Sequence, residues 1–307
     1  MSYAERTSYL ITHTSQLITP LFEVFSHSFS VGMRQWRVAA IVYFFQICLA
    51  LTLGMQVHSV LEASIGHSLE ISKLLAHYDH TVLTDFLKVH GASITPLLGQ
   101  LRWLLLVWLL FSVFMNAGML ACASSEAGQE QSAARTFWVG GAEFFFPFLK
   151  ISLFFLLLMV VWTVVVLAPI ALNLESWLQN FPSEKYAVWL VLGLLAVYLL
   201  GLVKLYIWSV ASRLARIRTG TTVLASLKTG RQIFWKKKWS LLGLVLGFVG
   251  FQLALTKLYW LLEAYTGMVS PGLILLLFVV QQAFAFFRIQ IRQMMYAGMA
   301  RLASGAA

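Results

Sequence analysis

The histidines between residues 58 and 90 are the first candidates for chemistry. His58, His67, His77, His80 and His90 fall in one stretch, and His77, Asp79 and His80 are close enough in sequence to share a metal ion. Zincin spacing of the H-E-x-x-H kind is missing, and a solvated, hydrogen-bonded loop accounts for these residues equally well. No metal site is assigned on that basis. A Walker loop, a strand-borne GxGxxG turn and a GxSxG elbow are also missing. No catalytic residue and no cofactor is expected, and the chain reads as non-enzymatic.

A second set of candidates is polar groups inside apolar runs, where an unpaired polar atom is costly. These are Asn116, Gln252, Gln281, Gln282, Arg288 and Arg292. Gln281, Arg288 and Arg292 follow spacings of seven and four, which put them on one helix face. That stripe is expected to face the protein interior or a protein partner, with Asn116 or Gln252 as hydrogen-bond partner for Gln281. It could line a polar path or serve interhelical hydrogen bonding. A third set is basic: Arg213, Arg216, Arg218, Lys228, Arg231, Lys236, Lys237 and Lys238 lie in residues 209–239 with no acid among them. Such a cluster attracts anionic lipid headgroups, or serves only to fix topology.

Composition says what must position these residues. Of 307 residues 60% are apolar and 11% charged, with a mean hydropathy of +0.80. Soluble domains carry about 25% charge, so this chain must face lipid. Six segments reach the roughly 20 apolar residues a membrane crossing needs. They are 38–58, 101–123, 150–171, 187–208, 240–262 and 272–293. Backbone groups in lipid must pair within the segment, so the fold class is all-α, a polytopic single membrane domain over 1–307. Both cysteines, Cys48 and Cys122, lie inside apolar runs and read as small hydrophobes.

Thirteen Lys and Arg fall in 1–37, 124–149, 209–239 and 294–307, against three in 59–100, 172–186 and 263–271. This asymmetry predicts cytoplasmic termini and an external loop 59–100 with two short amphipathic helices, Asp79 or Thr81 capping the second. The net charge of +10 does not imply nucleic acid, because the basic residues flank apolar segments.

An apolar helical stripe precedes each odd-numbered span: Ile18, Phe22, Phe25 and Phe29; then Phe137, Trp138, Phe144 and Phe145; then Val223, Leu227, Gly230 and Phe234. The expected unit is an interfacial amphipathic helix followed by a two-span hairpin, three times over; convergence would give the same pattern. Pro147 and Pro169 are expected to flank the third span. Gly243 and Gly247 form a GxxxG, continued by Gly250, which suits close helix packing.

The phrases FWVGGAEFFFPFLKISL, LASLKTGRQIFWKKK and LLLFVVQQAFAFFRIQIRQMMYAGMA resemble bacterial six-span inner-membrane proteins. The likeness covers residues 100–300. It extends loosely to the membrane domain of glycerophosphodiester phosphodiesterases, whose catalytic domain is missing here. The resemblance implies a fold and a bacterial inner membrane, and carries no activity. Two function classes follow. One is a scaffold or accessory subunit that packs against membrane-protein partners, itself and lipids. The alternative is a transporter or lipid-handling permease.

Overall fold

The computed structural model describes residues 22–65, 80–125, 132–180, 184–266 and 270–305. All regular structure among them is helical: α1 (residues 22–34), α2 (Trp36–Ile65), α3 (His80–Ser124), α4 (Ala133–Asn180), α5 (Glu184–Thr219), α6 (Val223–Lys236), α7 (Lys238–Thr266) and α8 (Pro271–Ser304). Six of them, α2 to α5, α7 and α8, are long and apolar enough to cross a membrane. The chain is a multi-pass, all-α membrane protein, with its spans where hydropathy puts them.

Two local expectations change. The segment 59–100 is helical to Ile65 and again from His80, so the second expected short helix is the start of α3, while the first, around Leu69 to Leu75, lies outside the described residues. His67, His77 and Asp79 lie outside the described residues, as does Ile18. Second, α4 runs through both Pro147 and Pro169. Its 48 residues join the second amphipathic segment to the third span. The starts of other elements follow local rules. Ser270 caps α8 by accepting from the Leu273 N–H, and Pro271 sits where its missing N–H costs nothing.

The chain divides into two compact units, residues 40–112 and the remainder, 1–39 with 113–307. In the smaller unit Phe45 of α2 meets Phe111 of α3, ring centroids 4.7 Å apart. The larger unit holds the described parts of the three amphipathic segments. A short helix breaks at Gln35 before α2, and another breaks at Lys237 before α7. The second segment has no break: α4 continues from it into the third span.

Each short segment packs on the second long helix of a hairpin through a residue with almost no side chain. A Cβ on Gly140 of α4 would strike Ala121 of α3. One on Gly230 of α6 would lie 2.6 Å from the Ser212 backbone of α5. One on Gly32 of α1 would strike Met294 of α8, and one on Gly298 would lie 2.5 Å from the Ser28 hydroxyl. Within the larger unit the second segment thus seats on α3, the third on α5, and the first on α8. Lipid supplies no hydrophobic drive for helices to associate, so close backbone approach does the packing.

The buried faces follow the same logic. On α6 the predicted face holds: Leu227, Gly230 and Phe234 are buried, with Ser226 and Ile233. On α1 a different face meets protein: Val24, Ser28 and Gly32 are buried, Phe25 stacks on Phe248 of α7 at 4.5 Å, and Phe22 and Phe29 point outward. That is where an interfacial amphipathic helix is expected to turn its aromatic face. At a membrane boundary aromatics are at home in the interface, and small residues take the protein side.

Candidate functional site

The second helices of the three hairpins, α3, α5 and α8, meet at the end of the larger unit that carries the basic residues. Polar side chains converge there. Asn116 and Met119 share a face of α3, Tyr206 and Arg213 are seven apart on α5, and Arg292 and Tyr296 are four apart on α8.

The Tyr296 hydroxyl donates to the Asn116 side-chain oxygen at 2.9 Å. The Tyr206 hydroxyl interacts with Tyr296 and lies within electrostatic reach of Arg213 and Arg292. Arg213 donates to the Ser152 hydroxyl at 3.0 Å and lies over the Phe148 ring. Ser152 in turn donates to the Phe148 carbonyl at 2.7 Å. Arg292 directs a terminal nitrogen at the Met119 sulfur, 3.5 Å away. The Nε of each arginine is buried without a partner.

A second network lies beside the first. Gln293 donates to the Gln35 side-chain oxygen at 2.6 Å and to the Met119 carbonyl at 3.2 Å. Gln35, at the break between α1 and α2, donates to the Cys122 carbonyl at 3.0 Å. Gln290 donates to the Gly32 carbonyl. The Cys122 thiol donates to the Ala133 carbonyl, 3.3 Å away, so it is a packed free cysteine. Three helices are thereby tied by amides whose alternatives in lipid would be unpaired.

The candidates from sequence distribute unevenly. Asn116 and Arg292 belong to this core. Gln281 and Arg288 are exposed, so the expected inward stripe is not realised within this chain. The nine residues from Gln281 to Gln290 turn the helix by about 900°, so the two lie on opposite sides, and the buried face of α8 runs through Gln290, Gln293 and Tyr296. Gln252 and Gln282 are half-buried, and neither reaches Gln281 by a described hydrogen bond. The partner of Asn116 is Tyr296.

Within the basic set, Arg213 and Arg216 are both half-buried, and Arg216 donates to the Gly220 carbonyl. Arg218 donates to the Ala300 carbonyl at 2.6 Å and so ties α5 to α8. Lys228, Arg231, Lys236 and Lys238 are exposed, and Lys237 is half-buried. Lys204 and Lys238 flank the Trp235 ring at 5.3 and 5.6 Å, a cation–aromatic surface. Gly243, Gly247 and Gly250 are exposed, and a Cβ on Gly250 would meet nothing within 4 Å. The expected GxxxG packing is therefore carried elsewhere, by single glycines facing other helices.

Sequence reasoning missed Gln35, Gln290, Gln293, Tyr206, Tyr296 and Ser152. A signal existed for those on α8. The run QMMYAGMA mixes polar and small residues, which marks a protein-facing helix in lipid. Among the described residues no group of three metal-ligating side chains occurs. No protein-family model matches the chain, and no curated protein and no solved structure matches it.

Proposed function

We propose that the protein is a non-enzymatic scaffold or accessory subunit of a membrane complex, set in a bacterial inner membrane with both termini cytoplasmic. The observation that carries this reading is the unequal packing of its long helices. Ile289 to Ala300 of α8 are buried apart from Arg292, which is half-buried. In the opposite half of the same helix Ile274, Leu275, Leu276, Phe278 and Val279 are all exposed. Consecutive residues advance 100° around a helix, so exposure of three in a row leaves most of its circumference open. On α5, Val188, Trp189, Val191, Leu192 and Leu195 repeat the pattern. The basic end is a fixed base, and the opposite halves are apolar surfaces for other membrane components. Anionic headgroups meet the base at Lys228, Arg231, Lys236 and Lys238, each contributing about 1 kcal/mol near the surface.

Photo-crosslinkers at Leu195 and Leu275, followed by gentle-detergent purification, test the reading. The expected outcome is a protein adduct in fixed stoichiometry. Lipid adducts alone would refute the scaffold and favour the lipid-handling reading, which the half-buried Arg213 and Arg292 recommend. Orientation is tested by cysteine labelling from outside intact cells: Ser59→Cys should react and Lys228→Cys should not.

A further inference from the structure

Arg213 and Arg292 are short of acceptors. A guanidinium carries five N–H donors and no acceptor, and it stays charged. Arg213 has the Ser152 hydroxyl and the face of Phe148. Arg292 has a thioether, a weak acceptor. Both Nε atoms are buried and unpartnered. The ion pair found among the described residues is His58 with Glu62, and neither arginine takes part in it. The neighbouring groups are phenols and an amide, which do not neutralise charge. Two half-buried cations with buried Nε atoms and no counter-charge among the described residues are costly, and what would remove the cost is an anion rich in acceptor oxygens.

The depth fits a phosphate. Twenty residues span the hydrocarbon core. Counted from Val188 and Pro271, where the α5 and α8 spans begin, that distance ends about five residues before Arg213 and about two before Arg292. Both guanidiniums therefore sit where headgroup phosphates begin. Their forks match phosphate oxygens in pairs.

We propose that Arg213 and Arg292 form a binding site for a phosphate-bearing oxyanion, held between the second helices of the second and third hairpins. The phosphate belongs either to a phospholipid headgroup or to a free phosphate ion. This site is distinct from the exposed lysines of α6 and α7, and it stands whether or not the protein is a scaffold.

The test uses the full chain in neutral detergent. Thermal stability and native mass spectrometry are followed on addition of inorganic phosphate, phosphatidylglycerol or phosphatidylcholine. Saturable stabilisation by phosphate alone identifies a free-ion site, and by phosphatidylglycerol but not phosphate, a headgroup site. Arg292→Gln and Arg213→Gln should each weaken that binding at least about tenfold. Replacing Lys236, Lys237 and Lys238 together with Gln should leave it within about twofold, because those side chains lie outside the site. Arg292→Lys covers the case in which Arg292→Gln does not fold. It keeps the charge, loses the fork, and should still weaken binding severalfold. No saturable binding, or binding unchanged in Arg292→Lys, would overturn the site.

Discussion

The two halves of α8 are equally helical and differ in everything else. Pro271 to Val279 is uniformly apolar, and only Leu277 is buried. Ile289 to Ala300 contains three polar amide or guanidinium side chains, a tyrosine and a glycine, and it is the most buried stretch of the helix. In water the assignment would be reversed, since apolar area drives burial. In lipid the acyl chains solvate Leu and Val as well as protein does, so apolarity decides nothing about burial. Close backbone approach and hydrogen bonding decide it. The same contrast separates Gly230, against the Ser212 backbone, from Gly193, which has open space around it on α5.

The harshest way to probe that contrast is to fill both glycine sites. Gly230→Leu must push α6 off α5, and because it meets backbone it should cost about 3 kcal/mol or more. Gly193→Leu should stay within about 0.5 kcal/mol of wild type, as an exposed substitution does. Unfolding in rising SDS measures both. Equal losses would mean that the two halves are packed alike.

How much of this was legible in the sequence depends on which physics was being read. Hydropathy located six spans, because backbone pairing in lipid leaves a helix no alternative. The Val223–Leu227–Gly230–Phe234 stripe located the buried face of α6, because that face contains a glycine. Phe22 and Phe29 carry the interfacial stripe and are exposed, while the protein-facing side of α1, Val24, Ser28 and Gly32, had no apolar signal to mark it. Gln281 and Arg288 drew attention by lying deep in an apolar run. Gln290 and Gln293 were passed over at its edge, where polarity looks ordinary, and the close approach of Gly32 and Met294 joins residues 262 apart. No local pattern encodes that pairing. The arginine core was half visible: Arg292 stood out, whereas Arg213 was masked by seven other basic residues that do lie toward the surface.

Amide truncation sharpens the comparison at smaller cost. Gln293→Leu removes hydrogen bonds to Gln35 and to the Met119 carbonyl. Bonds between membrane helices average about 0.6 kcal/mol, so the loss should be about 1–2 kcal/mol once the stranded Gln35 oxygen is included. Gln281→Leu should be neutral in the purified protein, because its side chain is exposed. A clear destabilisation by Gln281→Leu in native membranes alone would reveal a partner there. Tyr296→Phe breaks the single bond to Asn116 and should cost about 0.6 kcal/mol.

The smallest expected effect lies outside the spans, where α1 approaches the end of α8. Burial first, and the Arg301 charge second, hold the His27 imidazole below its ordinary value of 6.5. Both act against the charged form. Above that value His27 is neutral folded or unfolded and contributes no pH dependence. As pH falls through 6.5 the unfolded chain takes up a proton that the folded chain resists, so stability is lost until the folded value is passed. Stability measured from about pH 7.5 down to about pH 5.5 should therefore decline more in wild type than in His27→Gln. The side chain is largely exposed, so solvent screens the difference and it should be slight. Arg301→Gln should remove only part of it, since burial is the larger cause. A wild type that gains stability in acid relative to His27→Gln would contradict the sign and place His27 beside an acceptor instead of a cation.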